Sequence, residues 1–189
     1  MADFSIVSDV SNELLKVLRD NICPELIQSP EAISLAIPSD KNADFQLGLY
    51  LYDVQELREY RQVDPIRLRG NQAQYPPKPL TLHYVLYVNT KSQLASNAEN
   101  EQRILGRVLQ VLMDHTVLYD VEGDEEASPS ITILPLGFEE KTKIWSVLSV
   151  PYQLGIYFSV SPVLLSSRRV RNFKRVVAAE FDVQHQMKR

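Results

Sequence analysis

A chain of 189 residues, 44% hydrophobic and 23% charged, has the makings of one domain with a real core or a domain with an arm, and its composition excludes a disordered polymer. No stretch approaches the ~20 uninterrupted apolar residues of a membrane helix, and the opening MADFSIVSDV lacks a secretion signal, so no membrane insertion is expected and the chain should be made and kept in the cytoplasm unless a specialised route exports it. The single cysteine, Cys23, excludes an internal disulfide and a cysteine-based zinc site, while the net charge of −4 divides unevenly: residues 168–189 hold seven Lys or Arg against Glu180 and Asp182, or +5, leaving −9 on residues 1–167.

From about Phe4 to Ile22, the residues Ile6, Val10, Leu14, Leu18 and Ile22 recur every four positions, and Val7, Leu15 and Val17 widen the stripe. This spacing predicts a helix with one packed face, capped by Asp3 or Ser5 and ended at Pro24. Cys23, beside Pro24, reads as a small buried apolar side chain rather than a reactive thiol. Ile33 to Ile37, between Pro30 and Pro38, is a short strand. FQLGLYLYDV alternates as a strand, with Phe45, Leu47, Leu49 and Leu51 on one face and Gln46, Gly48, Tyr50 and Tyr52 on the other. The related string YQLGIYFSVS places Leu154, Ile156, Phe158 and Val160 together. A glycine inside each string, Gly48 and Gly155, predicts close approach by another backbone or a bulge.

Between about Gln55 and Pro79 runs a long connection holding Arg58, Arg61, Arg67 and Arg69 together with Pro76, Pro77 and Pro79; connections of this length inside a domain usually carry function or are flexible until bound. In PLTLHYVLYVNT, Leu82, Tyr84, Leu86 and Val88 point one way and Thr81, His83, Val85 and Tyr87 the other, so this strand is expected to be covered on both faces. Ser96 and Glu99 have capping-box spacing and predict the start of a helix, whose apolar stripe is Ile104, Leu105, Val108, Leu109, Val111 and Leu112. After the acidic turn EGDEEASPS come a strand, ITILPLGF, and a short helix, KTKIWSVLSV, anchored by Trp145. The segment from Arg168 onward is less defined, since RVVAAEFDVQ fits a strand through Val176 and Ala178 or a weak helix, and an extended basic arm is the preferred reading. The expected class is α+β, a mainly antiparallel mixed sheet packed by the N-terminal and central helices, with residues 1–167 as the domain and 168–189 as the arm.

Catalysis needs groups that exchange protons, attack or hold a metal. His83, His115 and His185 share no metal-like spacing; His83 suits a half-buried strand position and His115 a helix C-terminus. Glu122, Asp124, Glu125 and Glu126 lack the spacing of a calcium loop and read as a solvated turn. The six glycines are scattered singly, so no phosphate-cradling loop exists, and no serine sits in a nucleophile elbow. No catalytic residue, metal, cofactor or small-molecule substrate is expected. Tyr50, Tyr52, Tyr84, Tyr87 and Tyr157 suit half-buried strand faces better than base stacking. The acidic body disfavours nucleic acid as a partner.

Taken in order, the IVSDVSNELLKVL helix, FQLGLYLYDV followed by REYRQ, PLTLHYVLYV ahead of LGRVLQVLMDHTVL, the Trp145 helix and VPYQLGIYFSVSPV resemble the tail terminator, or cap, proteins of phage-tail-like contractile injection particles. The resemblance covers residues 4–163. It implies a structural protein that forms a hexameric ring with copies of itself on the last layer of inner tube and sheath, stops polymerisation and anchors the contracting sheath, within a particle that is assembled in the bacterial cytoplasm and is released or membrane-attached. In that setting Arg168, Arg169, Arg171, Lys174 and Arg175 are the expected arm contacts, and Arg58, Arg61, Arg67 and Arg69 the expected loop contacts to tube or sheath. The competing expectations are a neck or completion protein of a contractile phage and a nucleic-acid adaptor working through the basic arm.

Overall fold

The computed structural model of the chain describes residues 4–40, 44–57, 66–67, 72–89, 98–119 and 128–172. The first helix, α1, spans Ile6–Ile22 and buries Ile6, Val10, Leu14, Leu18 and Ile22, the stripe its four-residue spacing demands. Its cap differs from expectation. Ser5 precedes the helix in a helical backbone conformation, so its hydroxyl donates to the Asp9 carboxylate at 2.8 Å instead of accepting from a backbone amide; Asp3 lies outside the described residues. Cys23 packs half-buried against the core, and burial pushes its thiol pKa up, as befits an unreactive side chain.

The remaining elements are β1 (Ile33–Leu35), β2 (Leu47–Glu56), β3 (Ile66–Arg67), β4 (Gln72–Gln74), β5 (Lys78–Val88), α2 (Ala98–Asp114), β6 (Ser130–Ile133), α3 (Phe138–Val147), β7 (Gly155–Leu165) and β8 (Val170–Asn172). They form a five-stranded sheet in the order β1-β2-β5-β7-β6 and a three-stranded sheet in the order β3-β4-β8. The β1–β2 pairing is parallel and the other pairings in both sheets are antiparallel, which makes the fold α+β as its pattern of elements indicated. Ser96 lies outside the described residues, so the structure does not address the capping box expected ahead of α2.

Strand β5 is central and is covered on both sides. Leu82, Tyr84, Leu86 and Val88 join the larger core, where α1 and α2 pack on the sheet through Leu14, Leu18, Ile104 and Val108. Tyr84 stacks on Phe158 with ring centroids 5.5 Å apart. Its hydroxyl lies 2.8 Å from Ser11 Oγ, and Ser11 Oγ donates to the Val7 carbonyl at 3.0 Å, so Tyr84 is the donor to Ser11 in a short buried relay. Replacing Ser11 with alanine leaves the buried phenol without its acceptor, and urea unfolding should show a loss of about 1–2 kcal/mol. An unchanged midpoint would mean that the phenol finds another partner.

The opposite face of β5 presents Val85 and Tyr87 to a second, aromatic core with Phe45, Trp145 and Tyr157. Two residues depart from the sequence alternation here. Phe45 sits with Tyr87, ring edge to face at 5.8 Å, rather than with Leu47 and Leu49, and Leu154 is 49% exposed rather than packed with Ile156. Both lie ahead of their strands, which begin at Leu47 and Gly155, so the two-residue period does not yet govern them. The glycines act as expected in one case of two. A Cβ at Gly155 would stand 2.9 Å from the Leu86 carbonyl oxygen, a true backbone approach, whereas one at Gly48 would stand 2.6 Å from the Tyr87 ring, so Gly48 is a seat for an aromatic side chain.

Candidate protein interface

The long connection between β2 and β5 is not free of secondary structure. It contributes β3 and β4, and β4 pairs in turn with β8 from the start of the basic arm. Ala73, buried at the middle of β4, stands opposite Arg67 on one side and Arg171 on the other. The small sheet thus brings a loop arginine and an arm arginine into one register row, although they are remote in sequence. Arg58, Arg61, Arg69, Lys174 and Arg175 lie outside the described residues.

The remaining arm arginines are exposed and pinned by aromatic contacts. The Arg168 guanidinium lies 5.4 Å from the Phe4 ring centroid, and that of Arg169 lies 5.0 Å from the Tyr75 ring. Arg169 is also fixed through its backbone: Tyr75 N–H donates to its carbonyl at 3.1 Å, and its own N–H donates to Ser167 Oγ at 3.2 Å. Gln74 donates through its side-chain amide to the Ser167 carbonyl. These bonds hold the turn between β7 and β8 against the turn between β4 and β5. Between the two turns opens a groove of about 360 Å3 whose lining includes Pro76, Pro77, Leu165 and Arg169. Lys78 stands on it, ion-paired to Glu56 at 3.5 Å.

A second surface lies over α3. Trp145 is the buried residue of this helix, while Phe138 and Val147 are 69% and 85% exposed. A shallower hollow of about 350 Å3 runs between Val147, Leu148, Tyr50 and Tyr52. Sequence reasoning anchored the helix by Trp145 but did not single out its apolar outer face. Phe138 and Val147 fall at the two ends of the helix, where periodicity is weakest.

The tyrosines considered as base-stacking surfaces are otherwise occupied. Tyr84, Tyr87 and Tyr157 are buried, the last accepting a 2.7 Å hydrogen bond from the Trp145 indole N–H, and Tyr50 and Tyr52 pack partly against the same aromatic core. His83 is half-buried with its ring 5.9 Å from that of Tyr52, and His115 is exposed just beyond α2. His185 and the Glu122, Asp124, Glu125 and Glu126 turn lie outside the described residues. Among the described residues, no three His, Cys, Asp or Glu side chains gather closely enough to hold a metal ion, and no helix is long and apolar enough to cross a membrane.

The family model described as the Pvc16 N-terminal domain matches residues 9–179. Among solved structures, the chain is similar to the sheath/tube terminator, in its extended state, of the extracellular contractile injection system PVC, with a TM-score of 0.67 and 19% identity over 99% of this chain and 66% of that one. It is also similar to the tube-terminating cap of the anti-feeding prophage, with a TM-score of 0.59 and 16% identity over 92% of this chain and 60% of that one. The chain therefore spans less than two thirds of the length of each. No curated protein matches it.

Proposed function

We propose, since this chain belongs to the Pvc16 N-terminal domain family, that it is a structural cap of a contractile, phage-tail-like injection particle. In this reading copies of the chain close into a hexameric ring on the last layer of inner tube and sheath. The ring ends the growth of both and holds the sheath when it contracts, and no substrate is transformed. The observation that carries the reading is the family match over residues 9–179, joined by a shared fold with two proteins described as terminating a tube.

Physical reasoning supports it. A closed ring needs two different, complementary patches on each subunit, a heterologous contact repeated until it closes. The −9 body and the +5 segment of residues 168–189 supply opposite charge in one chain. Arg168, Arg169 and Arg171, held on and before β8, are suited to contact a neighbouring copy, with Lys174 and Arg175 continuing the arm. Arg58, Arg61, Arg67 and Arg69, from the β2 to β5 connection, are suited to contact tube or sheath.

Particles assembled without this chain should carry tubes and sheaths of widely scattered length, measured by electron microscopy, and their sheaths should slip or detach. Uniform, intact particles in its absence would overturn the reading. With tube and sheath proteins present, light scattering should report the chain at a multiple of its own mass, and a strict monomer would argue against a ring.

A further inference from the structure

The groove between the two turns has a composition that selects its occupant. Its apolar lining comes from Tyr75, Pro76, Pro77 and Leu165; of its charged lining, Lys78 is paired with Glu56 at 3.5 Å, so the exposed Arg169 supplies the positive charge left in excess. Proline and tyrosine rings make an apolar slot suited to another flat ring. Arg169 lies against the Tyr75 face, an arrangement that leaves the edges of a guanidinium fork available for a carboxylate. An aromatic residue flanked by acids is the complement of such a slot.

The chain contains that complement beyond β8. Past Ser167 the acids are Glu180 and Asp182, and Phe181 stands between them. Strand β8 runs antiparallel to β4, with Val170 opposite Gln74 and Asn172 opposite Gln72. Tyr75 continues from Gln74 into the groove, so each step along β8 leads away from it, about 7 Å by Asn172. The nine residues that follow Asn172, ending at Phe181, can span up to ~30 Å when extended. A chain segment that leaves β8 away from its own groove, with that reach, is long enough to enter the groove of a neighbouring copy.

We propose that Glu180, Phe181 and Asp182 of one copy dock in this groove of the next copy, Phe181 in the proline and tyrosine slot and its flanking carboxylates beside Arg169. The inference rests on the ring reading above and deepens it by naming where the arm lands. Tail and groove are different patches, so the contact is head-to-tail, as closure of a ring requires.

The test uses the full chain with a photoreactive benzophenone amino acid in place of Phe181. Light should yield a product of twice the chain's mass, joined between position 181 of one copy and residues 75–79 of another. Phe181→Ala should weaken self-association about 50-fold, the loss expected from one buried aromatic ring. Mixing Phe181→Ala copies with Arg169→Glu copies should produce pairs, because one supplies an intact groove and the other an intact tail, while each variant alone stays monomeric. Crosslinks confined within one chain, or a Phe181→Ala variant that associates like the parent, would overturn the docking. An assembly that persists with position 181 crosslinked elsewhere would remove this contact and leave the ring standing; a parent chain that stays monomeric beside tube and sheath proteins would remove both.

Discussion

Replacing Trp145 with alanine is expected to lower the unfolding free energy by about 4 kcal/mol, the range for deleting a large buried aromatic. Trp145 is 1% exposed, packs edge to face on Tyr87 at 5.5 Å and donates its indole N–H to Tyr157 Oη at 2.7 Å. It is also the buried residue of α3, a helix of 10 residues. Helices shorter than about 12 residues are marginal alone, so α3 stays on the sheet chiefly through this side chain. Without it the cavity and the loosened helix expose Val85, Tyr87 and Tyr157 together. Because this is the sole tryptophan, unfolding of the variant must be followed by circular dichroism rather than fluorescence. Trp145→Phe retains much of the packing but not the hydrogen bond and should cost about half as much. A Trp145→Ala loss under about 1 kcal/mol would show that something else holds the helix.

The sequence made the faces of the large sheet legible wherever a strand was long enough to impose its period. Leu82, Tyr84, Leu86 and Val88 against Val85 and Tyr87 is a division that alternation alone predicts, and the two cores keep it. Alternation misled at Phe45 and Leu154 because it was extended past the strand starts at Leu47 and Gly155. The small sheet had no local signature at all. Gln72, Ala73 and Gln74 are too few and too polar to announce a strand, and the partner that makes them one is Val170–Asn172, from the far end of the chain. The groove was hidden for the same reason. Its halves, the Tyr75–Pro79 turn and the Leu165–Arg169 turn, become a site only when β4 and β8 pair. The basic character of both segments was visible from the beginning, since charge is a property of composition and needs no partner to be read.

Raising the pH above about 10 should unfold this domain through its buried tyrosines. Burial pushes the Tyr84 phenol up to about 12, against a smaller opposing effect of the Ser11 hydrogen bond. Burial, and then the Asp53 carboxylate, raise Tyr52 to about 12 as well. Tyr157 is raised by burial, with the Trp145 bond opposing, and burial carries Tyr87 well above the ordinary phenol range. Since an unfolded tyrosine titrates near 10, the folded state favours the neutral phenol. That contribution is fully present below pH ~10 and is lost as the pH rises through the folded values near 12. For Tyr84, which is fully buried, the displacement of about two units corresponds to about 3 kcal/mol; half-exposed Tyr52 contributes less because water screens it. Tyrosinate absorbance and helical circular dichroism should therefore change together between about pH 10 and 12. Tyr84→Phe separates the causes. It removes the donor to Ser11 and should be somewhat less stable at neutral pH, yet it has no proton to lose, so its stability should fall less steeply with alkali than the parent's. If the two fall with the same slope, ionisation of Tyr84 does not drive the transition.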